Sequence, residues 1–298
     1  MDGQGDEWMK LRLKEGRGFV SALDQSGGST PATLARYGVE PSAYADDESM
    51  FAEIAAMRVR IISSPAFTSD KVLGTILFER TMTQEIFDKT IPEFLRVDRG
   101  IVPFLKVDEG LRSEANGVQL MKDLPRLSEK LASAKQFRIF GTKMRSMIHQ
   151  ADSTGIQAVV DQQFELASEI RSAGLIPIIE PEVNIQSPSK AEAEKLLYAS
   201  LEAAFANMTG DNSVILKLTI PEEAELYMRL LEDQRLLRIA ALSGGYSTAD
   251  ACQRLAKNPG MIASFSRALT EGLTKGMSDR EFDSILGANI NQIYAASQ

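Results

Sequence analysis

The stretch Ser213-Val-Ile-Leu-Lys-Leu-Thr219 decides how the rest of the chain is interpreted. It is a continuous apolar and β-branched run between Gly210-Asp211-Asn212 and Pro221, which predicts a buried strand. Lys217 lies inside this run. Because burying a charged lysine is costly, an apolar strand favours the neutral amine, which is a nucleophile toward carbonyl carbon. The simpler alternative is a strand-end lysine whose stem is buried while its amine reaches water.

Seven further apolar segments resemble strands, and helical patterns alternate with them along the chain. The eight predicted strands are 19–24, 72–78, 101–108, 139–145, 175–182, 213–219, 237–242 and 261–265. Alternating strands and helices predict a parallel sheet with right-handed crossovers. Eight such units in 298 residues predict an α/β fold, a (β/α)₈ TIM barrel that forms a single domain over residues 1–298. An open doubly wound sheet is the alternative, but the G-x-G-x-x-G expected after its first strand is absent.

The helical patterns between the strands share apolar residues at spacings of three and four. The predicted helices are 8–14, one that begins near Pro31, 48–60, 155–173, 189–206, 222–231, 248–257 and 279–296.

Four charged residues follow apolar strand residues at one spacing, because positions 106, 143, 180 and 217 are each 37 residues apart. They are Lys106, Lys143, Glu180 and Lys217. Consecutive βα units of equal length would bring such residues to the same height in a barrel, where catalytic groups lie at the carboxyl ends of the strands. The alternative is coincidence among ordinary strand-end charges.

The strand ends bring charges of both signs to one mouth, which suits a phosphorylated substrate with a reacting carbonyl. The residues are Asp24, Lys106, Lys143, Arg145, Glu180, Glu182, Lys217, Ser243 and Arg267. Proximity of Lys143 to Lys217 predicts that protonation of both is disfavoured. Glu180 follows two isoleucines and is flanked by prolines, so we expect a raised pKa and a role as general acid or base.

Two glycine-containing loops predict phosphate sites. Ser243-Gly-Gly-Tyr-Ser247 lies between a predicted strand and a predicted helix, where backbone N–H groups approach an anion closely. Arg267, after the eighth strand, supports this site. Gln25-Ser-Gly-Gly-Ser-Thr30, together with Lys106, predicts a second phosphate site at the far end of the substrate. The alternative for each loop is a plain turn.

Composition excludes several classes of protein. A net charge of −8 is inconsistent with a basic nucleic-acid surface, and no apolar run is long enough to predict a membrane span. One cysteine and one histidine make a zinc site or a histidine-based triad improbable. The single cysteine fits a reducing, cytoplasmic compartment, and the charged N-terminus predicts no signal peptide. We therefore expect no metal, no cofactor, no nucleic acid and no membrane as partners, and homo-oligomerisation stays open.

From about Gly18 to its C-terminus, the chain resembles the class I, Schiff-base-forming fructose-1,6-bisphosphate aldolases in their shorter bacterial form. The motifs that carry the resemblance are Ala22-Leu-Asp-Gln-Ser-Gly-Gly-Ser29, Phe104-Leu-Lys-Val-Asp108, Thr142-Lys-Met-Arg145, Pro177-Ile-Ile-Glu-Pro-Glu182, Leu216-Lys-Leu218, Leu242-Ser-Gly-Gly245 and Ser264-Phe-Ser-Arg267. The resemblance implies a carbon–carbon lyase of glycolysis and gluconeogenesis. It implies reversible cleavage of fructose 1,6-bisphosphate to dihydroxyacetone phosphate and glyceraldehyde 3-phosphate.

The resemblance also implies a role for each matching residue. Lys217 forms the imine, Glu180 exchanges protons around carbinolamine dehydration, and Asp24 orients or deprotonates the C4 hydroxyl. Lys143, a catalytic residue, and Arg145, a substrate-binding one, steady charge near the reacting carbons. The remaining substrate-binding residues are Ser243, Gly244, Gly245 and Arg267 for the phosphate nearer the ketone, Lys106, Ser26 and Ser29 for the other phosphate, and Glu182.

Two departures from the longer animal-type enzymes stand out. Gln25 occupies the position of an acidic residue, and no long C-terminal tail ends in tyrosine; Tyr294 lies in a helical pattern and is expected in a core or interface. Two other functions stay open at this point. One is another Schiff-base barrel lyase or transaldolase-type enzyme with a different phosphorylated sugar, and the other is a non-catalytic phosphate-binding protein that keeps the fold.

Overall fold

Eight parallel strands form a nearly closed barrel, as the alternation of elements predicts. The computed structural model describes residues 3–26, 28, 30–210 and 213–298. The strands are β1 Phe19–Leu23, β2 Val72–Leu77, β3 Val102–Lys106, β4 Gly141–Ile148, β5 Ile176–Val183, β6 Val214–Thr219, β7 Leu236–Leu242 and β8 Met261–Ala263. They pair in this order from β1 to β8, and β1 contacts β8. The single-domain barrel is confirmed, whereas its boundary at 1–298 stays a prediction.

Helices surround the barrel and connect the strands. The longer α-helices are Gly3–Glu15, Asp47–Ser63, Leu127–Gln136, Ser153–Ser172, Lys190–Asn207, Thr248–Leu255 and Asp279–Ala296. The shorter ones are Thr30–Arg36, Glu79–Met82, Ile91–Glu93 and Arg267–Thr270. The helix Asp47–Ser63 begins at a capping box, because Asp46 accepts from the backbone N–H of Ser49 while the Ser49 hydroxyl accepts from the backbone of Asp46. In the described part of the chain, none of these helices has the length and apolarity needed to cross a bilayer.

The predicted helix 222–231 is wrong. The segment consists of turns followed by a 3₁₀ helix, Met228–Glu232. Glu225 has a φ of 68°, which interrupts a right-handed helix. The backbone N–H groups of Glu222 and Glu225 donate instead to the side chains of Glu194 and Asn258, at 2.8 Å each. The apolar pattern could not reveal these tertiary partners. The helix Leu127–Gln136 was not predicted.

Two apolar layers stabilise the barrel. The interior is filled by side chains from the strands and from the N-terminal helix, namely Met9, Leu13, Val20, Leu73, Ile76, Val102, Phe104, Phe140, Ile178, Ile215, Leu237, Ala240 and Ile262. A second, larger layer lies between the strands and the surrounding helices. Each large apolar side chain contributes roughly 1.5–3 kcal/mol on burial. Because the interior is packed with side chains, a substrate can approach the barrel strands at the open mouth formed by their carboxyl ends.

The N-terminal helix closes the other end of the barrel. Arg238 of β7 donates to the backbone carbonyls of Leu13 at 2.8 Å, Lys14 at 2.7 Å and Gly16 at 3.0 Å, which are at the end of that helix. These three bonds satisfy carbonyl groups that a helix C-terminus leaves unpaired. The helix thereby becomes part of the barrel core rather than a loose N-terminal segment.

Candidate active site

A cavity of about 420 Å³ opens at the carboxyl ends of the strands. Eleven predicted site residues line it: Asp24, Ser26, Lys106, Lys143, Arg145, Glu180, Glu182, Lys217, Ser243, Gly244 and Arg267. Gly245 lies beside Arg267 at the same mouth. Ser29 is outside the described residues. The structure therefore brings together nearly all of the residues that the strand-end argument selected.

Three buried ionisable groups and Asp24, whose side chain is 11% exposed, form the centre of the site. Lys143 Nζ lies 2.6 Å from Asp24 Oδ2 and 3.1 Å from Glu180 Oε2. Lys217 Nζ lies 3.0 Å from Glu180 Oε1. The Glu180 carboxylate therefore bridges two lysines, and a proton can pass between Lys217 and Glu180 without any movement of the backbone.

Backbone chemistry fixes Glu180 in this position. Its N–H donates to Oε1 of Gln163 at 2.9 Å, and Gln163 is fully buried in the helix Ser153–Ser172. The neighbouring Pro181 has no N–H to pair. Further along, the Thr219 hydroxyl joins β6 to β5 through both the N–H and the carbonyl of Val183, at 2.8 and 2.9 Å. Side chains thus hold the strand pair together where Glu180 and Lys217 face the cavity.

The charges in this cluster overturn two expectations from the sequence. Burial by itself would raise the pKa of Glu180, but Lys143 and Lys217 outweigh burial and hold that pKa below its usual range. Burial would likewise lower the pKa of Lys143, but Asp24 and Glu180 raise it well above its usual value. Thus the expected raised pKa of Glu180 is wrong, and the pKa of Lys143 is raised although its proximity to Lys217 predicted that protonation of both lysines is disfavoured. The neighbouring carboxylates thus favour the charged form of Lys143.

Asp24 is an ionised carboxylate for the same reason. Burial would raise its pKa, yet Lys143 and Lys217 together hold the pKa well below its usual range. Arg145, at the rim, forms an ion pair with Glu182. Burial opposes the charge of Arg145, and the two carboxylates Glu182 and Glu180 raise its pKa in spite of it. Opposed charges are thus already in place at the centre of the site before a substrate binds.

The charged residues that are 37 positions apart in sequence are only partly paired with one another in the strand ladders. Lys106 and Lys143 are direct partners in the β3–β4 ladder, as expected. In the β4–β5 ladder, however, Arg145 rather than Lys143 is opposite Glu180, an offset of two residues. The stagger of a closed barrel causes such offsets, and sequence distance does not reveal them. The side chains still meet because all of them point into the barrel mouth.

The loop after β7 has the geometry of an anion cradle. Gly244 and Gly245 have φ values of 58° and 126°, which disfavour any residue with a side chain. A Cβ atom at Gly244 would lie 2.6 Å from Ile185, and one at Gly245 would lie 3.4 Å from Arg267 Nη2. The following helix Thr248–Leu255 contributes less than expected, because its own Ser247 caps the N-terminus by accepting from the backbone N–H of Asp250. A phosphate here would be held by the loop and Arg267.

The second predicted phosphate site is on the opposite wall. β3, which carries Lys106, is four strands from β7 in an eight-stranded barrel, so the two sites face each other across the mouth. Lys106 Nζ donates to the backbone carbonyl of Asp108 at 2.7 Å and pairs with its carboxylate. A bound phosphate would compete with Asp108 for this ammonium group.

Sequence reasoning missed several residues that the structure places at the mouth: Thr33, Arg36, Asp108, Gly110, Leu111, Ser264 and Ser266. Gln25, which the sequence analysis named as part of the loop after the first strand, also lines the mouth. Asp108 could have been found, because it lies two residues after the strand that ends at Lys106. Arg36 lies on a helix, and no local pattern marks it. Tyr294 packs against the hydrophobic core and is not among the described residues that line the cavity, in agreement with the expectation for it.

A TIM barrel with a buried lysine–carboxylate pair at its mouth, between two opposed cationic sites, is the architecture of a Schiff-base lyase acting on a phosphorylated carbonyl compound. Comparison with known families narrows this class. The family profile described as "Glycolytic: Fructose-bisphosphate aldolase class-I" matches residues 9–222. The chain belongs to the class I fructose-bisphosphate aldolase family.

Similar proteins cover nearly the whole chain. A protein named "Fructose-bisphosphate aldolase class 1" from Synechocystis sp. is 52% identical over 286 residues, 96% of this chain and 95% of that protein. A protein of the same name from Porphyromonas gingivalis is 51% identical, covering 96% of this chain and 97% of that protein. Among solved structures, fructose-bisphosphate aldolase from Plasmodium falciparum, in complex with TRAP and a small-molecule inhibitor, aligns with a TM-score of 0.77 over 100% of this chain and 96% of that chain. At 19% identity, this last match supports the fold alone.

Proposed function

We propose that the chain reversibly cleaves fructose 1,6-bisphosphate to dihydroxyacetone phosphate and glyceraldehyde 3-phosphate through an imine on Lys217, as a lyase of glycolysis and gluconeogenesis. The observation that carries the proposal is the Glu180 carboxylate, which lies 3.0 Å from Lys217 Nζ and 3.1 Å from Lys143 Nζ. An imine-forming lysine needs an adjacent group that takes and returns protons, and Glu180 is positioned for this role.

Imine formation begins with proton transfer inside the cluster. Lys217 passes a proton to Glu180, which leaves the summed charge of the buried cluster unchanged. The neutral amine then attacks the ketone carbon, and one proton moves from its nitrogen to the oxygen to give the carbinolamine. Glu180 returns the other proton to the carbinolamine hydroxyl, which leaves as water and gives the protonated imine. Lys143 stays protonated throughout, because the carboxylates of Asp24 and Glu180 raise its pKa against the effect of burial. Its charge stabilises the oxygen anion as that anion develops.

Carbon–carbon cleavage uses Asp24. The carboxylate accepts the proton of the C4 hydroxyl, the C3–C4 bond breaks, and its electron pair moves into the protonated imine to give an enamine. The aldehyde, glyceraldehyde 3-phosphate, leaves. Protonation of the enamine carbon and hydrolysis of the imine then release dihydroxyacetone phosphate and restore Lys217. The protonated imine is the electron sink, so the mechanism requires neither a metal nor another cofactor.

Substrate binding follows from the two opposed cationic sites. Ser243, Gly244, Gly245 and Arg267 would hold the phosphate nearer the ketone, while Lys106, Ser26 and Ser29 would hold the other. Arg145 and Glu182 would orient the hydroxyl groups between them. The placement of β3 and β7 on opposite walls of the mouth supports binding of a substrate with a phosphate at each end.

Borohydride trapping tests the assignment. Incubation with dihydroxyacetone phosphate and sodium borohydride should fix a three-carbon label on Lys217, identified by peptide mass mapping. A label on any other lysine would contradict the assignment of the nucleophile. Cleavage of fructose 1,6-bisphosphate should persist in EDTA, and its loss would contradict a metal-independent mechanism.

Two further proposals concern the state of the protein in the cell. A cytoplasmic location is supported by the single cysteine, Cys252, which cannot form an internal disulfide. A homo-oligomer is the second proposal. Sedimentation equilibrium of the purified chain measures its mass directly, and fractionation of cells locates it.

A further inference from the structure

The barrel has one weak junction, between β8 and β1. Backbone ladders join all other neighbouring strands, whereas no ladder pairs Met261–Ala263 with Phe19–Leu23 in the described part of the chain. We call this junction the β8–β1 seam. Asp24 directly follows β1, and Arg267 lies four residues after the end of β8. The carboxylate for C–C cleavage and the arginine for phosphate binding are therefore on opposite sides of the seam.

Gln25 bridges this seam. Its Nε2 donates to Ser266 Oγ at 2.6 Å and makes a longer contact with the carbonyl of Ala22 at 3.4 Å. Gln25 directly follows Asp24, and Ser266 directly precedes Arg267. One side-chain hydrogen bond thus connects the two segments at the point where the backbone ladder is missing.

The buried side chain of Arg58 contacts both the backbone and the side chain of Gln25. This arginine is only 1% exposed, and its guanidinium donates to the backbone carbonyl of Gln25 and to the Thr81 hydroxyl, the latter at 2.8 Å. A further contact reaches the side-chain oxygen of Gln25 at 3.4 Å. No described carboxylate is within ion-pairing distance of Arg58. The guanidinium therefore fixes both the backbone and the amide orientation of Gln25.

A buried arginine without an ion-pair partner is expensive and needs a physical reason. Burial lowers the pKa of Arg58 to about 10, against the opposing effect of the charge on Asp24, so the group remains a cation at neutral pH. The neutral Gln25 leaves this positive charge available to Asp24, whereas a carboxylate at position 25 would pair with it. The arrangement favours an ionised Asp24 in one fixed position.

We propose that Gln25, held by Arg58, is a positioning residue for the lyase reaction, because its hydrogen bond to Ser266 fixes Asp24 relative to Arg267 across the β8–β1 seam. The inference rests on the proposed function, in which Asp24 takes the C4 hydroxyl proton and Arg267 holds a phosphate. Imine formation with dihydroxyacetone phosphate needs Lys217, Glu180 and the phosphate site, but it does not need Asp24. Cleavage needs all of them in one geometry.

The test compares these two half-reactions in Gln25→Met, Ser266→Ala and the double variant. Because a misplacement of about 1 Å can slow a reaction by roughly a hundredfold, kcat for cleavage of fructose 1,6-bisphosphate should fall about ten- to a hundredfold. The rate of borohydride trapping with dihydroxyacetone phosphate should change by less than about twofold. The double variant should be no slower than Gln25→Met alone, because both substitutions remove the same hydrogen bond.

Arg238→Met is the matched control. It removes the side-chain hydrogen bonds of a half-buried arginine that donates only to backbone carbonyls, at the opposite end of the barrel. It should lower the melting temperature without changing the ratio of cleavage to trapping. The proposal is overturned if the rates of cleavage and trapping fall in proportion, or if the effects of Gln25→Met and Ser266→Ala multiply in the double variant. It is also overturned if Arg238→Met changes the ratio of cleavage to trapping as much as Gln25→Met does. Failure of the proposed function would be visible separately, as an unsubstituted chain that neither traps nor cleaves.

Discussion

Replacement of Lys143 by methionine tests the charge arrangement of the site most directly. Lys143 is 3% exposed and contacts both Asp24 and Glu180. Without it, two buried carboxylates share the single remaining lysine, Lys217. Removing one partner of a buried ion pair typically costs about 3–5 kcal/mol. For a chain of this size, that corresponds to a fall in melting temperature on the order of 10 °C.

The loss of stability should depend on pH, and its sign follows from Asp24. In the unsubstituted chain the pKa of Asp24 is depressed, so its contribution to stability is present above the unfolded pKa and is lost as pH falls through the folded pKa. In Lys143→Met, the largest influence on the pKa of Asp24 is burial, which raises this pKa in the folded state. The folded state therefore loses stability as pH rises and the buried Asp24 ionises. The destabilisation should therefore be larger at pH 8 than at pH 5, by about 1 kcal/mol or more, since one pH unit of displaced protonation corresponds to about 1.4 kcal/mol.

Urea unfolding at both pH values measures this difference. Arg238→Met is the control, because its partners are backbone carbonyls that do not titrate, and its destabilisation should be the same at pH 5 and pH 8. Equal destabilisation by Lys143→Met at the two pH values, or a loss below about 1 kcal/mol, would refute the assignment of Lys143 as the cation that balances Asp24 and Glu180.

Three further predictions concern single substitutions. Glu180→Gln should slow borohydride trapping by roughly a hundredfold or more, because proton exchange with Lys217 is lost; trapping at the normal rate would assign the proton exchange to another group. Lys106→Met should raise the KM for fructose 1,6-bisphosphate by about 10–100-fold, since the charge-assisted bond to the far phosphate is worth about 1.5–3 kcal/mol. It should leave trapping of dihydroxyacetone phosphate nearly unchanged. An equal effect on both ligands would contradict two opposed phosphate sites. Gly244→Ala should weaken binding of dihydroxyacetone phosphate in a titration, because a Cβ there would lie 2.6 Å from Ile185; unchanged binding would show that the β7 loop does not hold that phosphate.

Local sequence determined the order of the elements. A buried parallel strand is a continuous apolar run, and its β-branched residues and flanking turn residues are visible without any knowledge of the fold. All eight strands were predicted for this reason, and the polar residues that follow them locate the mouth. The proposed catalytic residues Lys217, Glu180, Asp24 and Lys143 were selected in this way, because residues at strand ends are adjacent in sequence to the apolar runs that place them.

Tertiary structure decided what local sequence could not express. The charge states of Glu180 and Lys143 depend on neighbours from other strands. Burial alone therefore predicted the wrong direction for the pKa of Glu180, and proximity to Lys217 predicted the wrong direction for that of Lys143. The segment 222–231 has a helical composition, yet its backbone is bound by distant side chains. Gln25 and Ser266 are 241 residues apart in sequence, and only closure of the barrel brings them to 2.6 Å. Interactions between distant segments are set by the summed packing of the barrel, and no single stretch encodes them.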